Sequence, residues 1–413
     1  MREADVAIKE YAIGIYDGPH ATPKPSDSGP IFLGIKNVTD DGRLDFTEIR
    51  HVSETEFPKW TRRVQPQKDD IVFSYEATLH RYARIPDNFE GCLGRRMALV
   101  RPDPQKVDPR FLHYYFLSPI WRAKMDAITL AGATVNRIPL TNFPDTKVRF
   151  PGLNEQAAIA DILSDYDDLI ETNRRRIALL EEAARLLYRE WFVHFRFPGH
   201  EHVPLTEGLP EGWEVRYLSD LCDPKDGIQT GPFGSQLHQS DYSETGVPVV
   251  MPKDMKGFRV ESEGIARIPE ELADKLGRHR MAVGDTVYGR RGDIGRRAYI
   301  GRRQEGFFCG TGCLRIRPIP SRIDPRYLFD ALGTPQVAGF IANQAKGSTM
   351  PNLSAGALKK VPIPCAPMRL QRLYVEAVEP QFELMETLVE QNQKLAQGRD
   401  LLLPRLMNGE IAV

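Results

Sequence analysis

Two kinds of hydrophobic pattern alternate along this 413-residue chain. The first 150 residues or so carry short runs of β-branched and aromatic residues, such as IVFSY (71–75) and MALVRP (97–102), bounded by Gly, Pro and other turn residues. Runs of this length and composition predict strands. From 154 to 195 there is then neither Gly nor Pro, which predicts one long helix. Its seam positions Ile159, Leu163, Tyr166, Ile170, Asn173, Ile177, Leu180, Ala184, Leu187 and Trp191 follow one another at alternating spacings of four and three. A narrow stripe of period 3.5 predicts a coiled-coil seam, not a broad amphipathic face. Strand-like runs then return, as in DTVYG (285–289) and CLRIRP (313–318), and the chain closes on a second helical segment. There Val378, Gln381, Met385, Leu388, Asn392, Leu395, Arg399, Leu402 and Leu406 keep the same phase. This second seam is less apolar, and Gly398 and Pro404 are expected to weaken its end. Asn173 and Asn392 each occupy a seam position, where a polar residue fixes register at some cost in stability.

The likeness of the two halves extends to particular residues. Gly14-Ile15-Tyr16-Asp17-Gly18-Pro19 recurs as Gly227-Ile228-Gln229-Thr230-Gly231-Pro232, and Asp70-Ile71-Val72-Phe73 as Asp285-Thr286-Val287-Tyr288. Arg81-Tyr82-Ala83 returns as Arg296-Arg297-Ala298, DPRFL (108–112) as DPRYL (324–328), Gly132-Ala133-Thr134 as Gly347-Ser348-Thr349, and Gln156 as Gln371. Matches in constant order, offset by about 215 residues, describe a duplicated chain. The fold class that follows is α+β. Two β-rich domains (1–150 and 213–364) are joined and spaced by two long helices (151–196 and 365–413), with a linker at 197–212. Such helices can pair as an antiparallel coiled coil about a pseudo-twofold axis. At ~1.5 Å per residue the first seam is roughly 50 Å long. A rod of that size suits two modules spaced by one or more turns of DNA, each about 34–36 Å.

Charge at first argues against such a partner: 55 Lys and Arg face 56 Asp and Glu, a formal net charge of −1. The distribution reverses that impression. The helical segment 154–196 carries −3 and residues 197–226 carry −5, which leaves +7 on the remainder. Between 281 and 303, six arginines stand against two aspartates. Arginine on glycine-bearing turns, as in GRRGDIG (289–295), suits phosphate clamping or bidentate reading of guanine. The matching stretch TLHRYAR (78–84) is basic as well. The candidate DNA contacts are therefore Tyr75, His80, Arg81, Arg84, Arg290, Arg291, Arg296 and Arg297. Residues shared by the copies, Arg81 and Arg296, are expected to serve the framework or the phosphates. Tyr75, His80 and Arg84, against Arg290, Arg291 and Arg297, are expected to carry sequence choice.

Candidate chemistry beyond binding is sparse. Phe308-Cys309-Gly310-Thr311-Gly312 matches a short methyltransferase pattern but runs into a strand instead of opening a helix, and no Asn-Pro-Pro or Asp-Pro-Pro aromatic segment accompanies it. No G-x-x-x-x-G-K-[ST] phosphate loop occurs. Asp103, Asp145 and Lys147 only loosely imitate a nuclease site. Cys92, Cys222, Cys309, Cys313 and Cys365 lack zinc spacing and read as structural thiols of a reducing cytoplasm. No apolar run is long enough for a membrane span, and the charged opening MREADVAIKE is not a signal peptide. The expectation is a cytoplasmic, non-catalytic protein that binds no cofactor or metal. A self-contained enzyme and a coiled-coil protein scaffold are the alternatives.

Three segments carry a family resemblance: residues 153–192, residues 347–367 leading into RDLLLPRLMNGEI (399–411), and GIQTGPFGSQL (227–237) preceded by Leu209-Pro210-Glu211-Gly212-Trp213. In these the chain resembles the specificity subunit of Type I restriction-modification systems, over essentially its whole length. The resemblance implies two target-recognition domains, each reading one half of a bipartite, asymmetric double-stranded DNA site, with the coiled coil setting the gap. It implies two modification subunits, which use S-adenosylmethionine to methylate adenine, and two restriction subunits, which use ATP and Mg²⁺. Copy one lacks the Leu-Pro-Glu-Gly-Trp lead-in.

Overall fold

A computed structural model describes residues 5–131, 135–234, 236–257, 259–292, 294–345 and 352–413. The repeated Gly132-Ala133-Thr134 and Gly347-Ser348-Thr349 lie outside the described residues, as does Asp293. The chain divides into two compact units, Met1–Asn173 with Val389–Val413, and Arg174–Leu388.

In the first unit, four antiparallel strands lie in the order Ala12–Asp17, Met97–Pro102, Ile71–Ser74, Tyr82–Arg84. Ser26–Leu33 pairs in parallel with Gly91–Leu93, and Val6–Ala7 pairs antiparallel with Lys147–Val148. Alternate residues of a strand face opposite ways, and here both faces are covered. Ile71, Phe73, Ala98 and Val100 meet Phe116, Trp121 and Phe143, while Val72, Ala83 and Leu99 meet Leu33 and Leu93. Burial on both faces is why IVF reads as an unbroken apolar run.

The second unit repeats the plan. Its sheet has the order Ile228–Thr230, Cys313–Ile316, Thr286–Gly289, Arg297–Tyr299. Val247–Val250 pairs in parallel with Phe308–Cys309, and Glu214–Tyr217 antiparallel with Pro362–Cys365. Residues 197–212, expected as a plain linker, contain a small hairpin of Leu205–Thr206 with Leu209–Pro210, and Phe197 packs on Trp213. All five cysteines are buried and free.

Buried polar groups explain why particular residues recur. Arg101 grips Asp70 with two hydrogen bonds of 2.8 Å, and Arg317 grips Asp285 with bonds of 2.7 and 2.6 Å. The same carboxylates accept from Gln67 N and Ala282 N, both at 2.8 Å. Gln156 accepts from Asp108 N and donates to Pro151 O; Gln371 accepts from Asp324 N and donates to Ala366 O. Asp108 and Asp324 in turn cap the helices Pro109–Leu117 and Pro325–Ala331 through their side chains. The repeated Gly-Pro pairs have a steric cause: a Cβ on Gly18 would stand 2.5 Å from Gly94 O, and one on Gly231 only 1.9 Å from Gly310 O.

The expected long helices run Leu153–Phe192 and Met368–Met407. Within the first unit they pair antiparallel. Asn173 Nδ2 donates to Asn392 Oδ1 at 3.0 Å, Arg399 binds Asp167, and Ile159 and Leu163 join Leu403 and Leu406 in one core. Gly398 and Pro404 do not end the helix or its packing, since Leu403 and Leu406, beyond Gly398 and on either side of Pro404, are in the core. The helix passes through both, and Gly398 leaves room for the Tyr166 ring, which a Cβ there would approach to 3.3 Å. Pairing within the second unit is antiparallel too, with Tyr188 and Phe192 against Tyr374.

The seam itself needs one correction. Ile159, Leu163, Ile170, Asn173, Ile177, Ala184, Met385 and Leu388 are buried as expected, and Tyr166, Leu180, Asn392, Leu395 and Leu402 are half-buried. Beyond Ala184, however, the buried residues are Tyr188 and Phe192, while Leu187 and Trp191 lie half-buried beside them. Steps of four replace the alternation because the helix end packs on Trp213 and Tyr327 of its own unit as well as on the second helix. At the far end Leu403 is likewise buried more deeply than Leu402.

One stability prediction arises here. Burial holds the His113 imidazole down at about 4, against 6.5 for a free histidine. The folded chain keeps His113 neutral while the unfolded chain takes up a proton below pH 6.5, so stability is lost as pH falls from 6.5 towards 4. His113→Leu is expected to flatten that loss in the first unit, by about 2–3 kcal/mol at pH 4.5. Hydrogen exchange of first-unit amides against pH measures it; an unchanged slope would exclude His113 as the cause.

Candidate nucleic-acid interface

In both units the candidate residues gather on the same hairpin, between the third and fourth strands of the sheet. The described tip residues are 75–81 in the first unit and 290–292 with 294–296 in the second. Ser74 N donates to Arg81 O at 3.0 Å, and Gly289 N to Arg296 O at 2.7 Å, which makes Arg81 and Arg296 true counterparts that close the loop. Positive φ angles at Ala77 and His80, and at Gly292 and Gly295, turn the chain at these tips. Alongside runs the segment after the Gly-Ala-Thr or Gly-Ser-Thr repeat: Glu76 bridges to Arg137, and Arg291 to Asn352.

The side chains differ in what they do. Arg81 pairs with Asp40 and donates to Val38 O; Arg84 pairs with Asp69 at 2.6 Å; His80 Nε2 lies 2.8 Å from Asp126 Oδ1. Arg291 and Arg296 are exposed. Tyr75 and Arg290 are buried beside the tip.

Arg297 departs from expectation. Strand register pairs Tyr288 with Arg297 as it pairs Phe73 with Tyr82, so Arg297 occupies an inward-facing position. It is 9% exposed, donates from Nε to Phe329 O at 3.1 Å, and lies over the Phe329 ring. Gly333 makes the space, since a Cβ there would fall 1.6 Å from an Arg297 Nη atom. With Nε spent on Phe329 O and its plane over the Phe329 ring, this guanidinium is satisfied inside the fold and belongs to the framework. The counterpart of Arg84 is instead Tyr299, which stacks on Arg326 at 3.6 Å. Arg137 and Asn352, which flank the tips, escaped notice because nothing in their own sequence marks them. Their place just after the repeated Gly-x-Thr was the available signal.

The methyltransferase-like loop does not fit a cofactor. Phe308–Cys309 and Cys313–Ile316 are both strands, and Gly310 and Gly312 lie against Met251 and Pro252. Among the described residues no group of His, Cys, Asp or Glu could hold a metal ion, and no helix is long and apolar enough to cross a membrane.

Residues 29–182 and 210–397 match the Type I restriction modification DNA specificity domain. The chain belongs to this family. Curated members align along most of their lengths. The MjaIX specificity subunit of Methanocaldococcus jannaschii is 26% identical, over 98% of this chain and 89% of its own. The EcoKI specificity subunit of Escherichia coli K12 is 22% identical, over 91% and 81%, and the HindI specificity subunit of Haemophilus influenzae 22%, over 84% and 87%. The fold is that of a solved family structure, the Type-I restriction-modification S subunit from M. genitalium, with a TM-score of 0.52 at 17% identity over 98% of this chain and 95% of that one. Two matched segments in one chain agree with the duplicated sheet order found above.

Proposed function

We propose that this chain is the DNA-recognition subunit of a Type I restriction-modification complex, reading a bipartite, asymmetric site with one unit per half. The observation that carries this is the hairpin shared by the two units: identical backbone closure, and different polar side chains at its tip. A framework used twice with changed tips suits two different half-sites. The chain has no catalysis of its own. Two modification subunits, with S-adenosylmethionine, methylate adenine in the site, and two restriction subunits use ATP and Mg²⁺; all work with this chain in the cytoplasm. Family membership supports the role, and the glycine-packed 308–312 loop supports placing the methyl donor on the partners.

The test is to co-express the full chain with its neighbouring methyltransferase genes and map methylated adenines across a genome. A single bipartite motif is expected. Binding to duplex DNA by the assembled complex is expected to weaken steeply with salt, as neutralised phosphates release counterions. A protein-only scaffold would show neither result, and a self-contained enzyme would methylate without its neighbours.

A further inference from the structure

One backbone position is held the same way in both units and carries a different side chain in each. Tyr75 directly follows the strand Ile71–Ser74, and Arg290 directly follows Thr286–Gly289. Tyr75 N donates to Arg96 O at 3.2 Å, and its carbonyl accepts from Ile138 N at 2.8 Å. Arg290 N donates to Gly312 O at 3.0 Å, and its carbonyl accepts from Leu353 N at 2.8 Å. With the main chain pinned on both sides, the direction of the side chain is set before any ligand arrives.

Both side chains are nearly enclosed, Tyr75 at 3% and Arg290 at 7% exposure, yet among the described residues the Tyr75 hydroxyl and Arg290 Nε have no hydrogen-bond partner. No carboxylate among the described residues pairs with Arg290; its guanidinium reaches only Asn352 Oδ1, at 3.3 Å. Burial, and then the adjacent Arg291, push its pKa down, so its charge lacks compensation within the fold. A buried polar group without a partner is costly, and a buried charge more so. The framework groups Asp70, Asp285, Gln156 and Gln371 are all bonded; Arg96 Nε and Thr286 Oγ1 nearby share the deficit, but neither sits at a position whose side chain is pinned alike and exchanged between the units.

We infer that position 75/290 is the base-reading position of each unit. Arg290 takes the O6 and N7 acceptors of a guanine in the half-site read by the second unit, and Tyr75 applies its hydroxyl to a base edge in the other half-site. This rests on the DNA-recognition reading above. A phosphate is the poorer ligand for two reasons. Phosphates are the same in both half-sites, whereas this side chain changes between copies. A planar fork held in one direction also matches the paired acceptors of guanine, while the exposed Arg291 and Arg296 are better placed for the sequence-blind backbone.

The experiment is the methylation map of the co-expressed complex, repeated with Arg290→Ala, Arg290→Lys and Tyr75→Phe. Arg290→Ala is expected to reduce the preference for guanine at one position of one half-site by about 10- to 100-fold, leaving the other half-site intact. Arg290→Lys keeps the charge but not the fork, and is expected to relax the same position. Tyr75→Phe removes only an oxygen that has no partner, so its melting temperature is expected to stay level or rise while the opposite half-site relaxes. An unchanged motif in all three variants overturns the inference. So does methylation falling equally at all sites with a shallower salt dependence, the mark of a phosphate contact. If the unsubstituted complex yields no bipartite motif, the DNA-recognition reading itself has failed.

Discussion

Asp285→Ala is expected to destabilise the second unit by about 2–3 kcal/mol, because the carboxylate is buried with three bonds while the Arg317 side chain left behind is 33% exposed and partly solvated. Asp285 is 1% exposed, and it receives two bonds from Arg317 and one from Ala282 N. Alanine would strand the guanidinium with only the Arg280 carbonyl, 3.2 Å away, and would leave Ala282 N without its acceptor. Arg317 follows the central strand Cys313–Ile316, so the damage falls where the sheet is anchored. Because Asp70 and Arg101 make the same contact in the first unit, Asp70→Ala is expected to produce a similar loss there. Denaturation monitored by hydrogen exchange would separate the two. Lys9→Ala, which breaks the exposed pair with Asp145, serves as the control and should leave melting unchanged. A loss for Asp285→Ala no greater than this control would show that the pair does not anchor the sheet.

The duplication made the framework legible and hid its chemistry. Repeated Asp70 and Asp285, or Gln156 and Gln371, are visible by counting, but each also has a partner 31 or more residues away. Spacing along the chain carries no information about such contacts. The strands were legible because both faces of each sheet are covered, so IVF and its counterparts stand out as apolar runs. Arg297 was not, because an arginine in a basic run looks solvated. Only the register opposite Tyr288, and the missing Cβ of Gly333, show it to be enclosed. The helical seam was legible wherever helix met helix alone. It drifted at Tyr188 and Phe192, where a domain core adds contacts on a second side and the 3.5 period no longer describes what is buried. Function came from the family resemblance, and the repeat showed which backbone positions of the two units correspond while carrying different side chains.

Asn173→Leu is expected to cost about 2 kcal/mol, whereas Asn173→Leu with Asn392→Leu is expected to be at least as stable as the unsubstituted chain. Asn173 is 1% exposed and donates to Asn392 Oδ1, while Asn392 Nδ2 reaches Ile170 O at 3.3 Å. A single leucine leaves the Asn392 carbonyl oxygen without its donor, a penalty of about 1–3 kcal/mol. Two leucines remove both polar groups and extend the apolar seam between Ile170 and Ile177. Stability would then rise while definition is lost. Leucine pairs are satisfied in several alignments, whereas the asparagine pair is satisfied only when these two positions meet. Crosslinking mass spectrometry on the full chain would expose this: contacts around Asp167 and Arg399 should be single in the unsubstituted chain and heterogeneous in the double variant. A double variant less stable than either single one would mean that the amides contribute packing that leucine cannot replace. In that case the asparagines would be there for strength, with register a by-product.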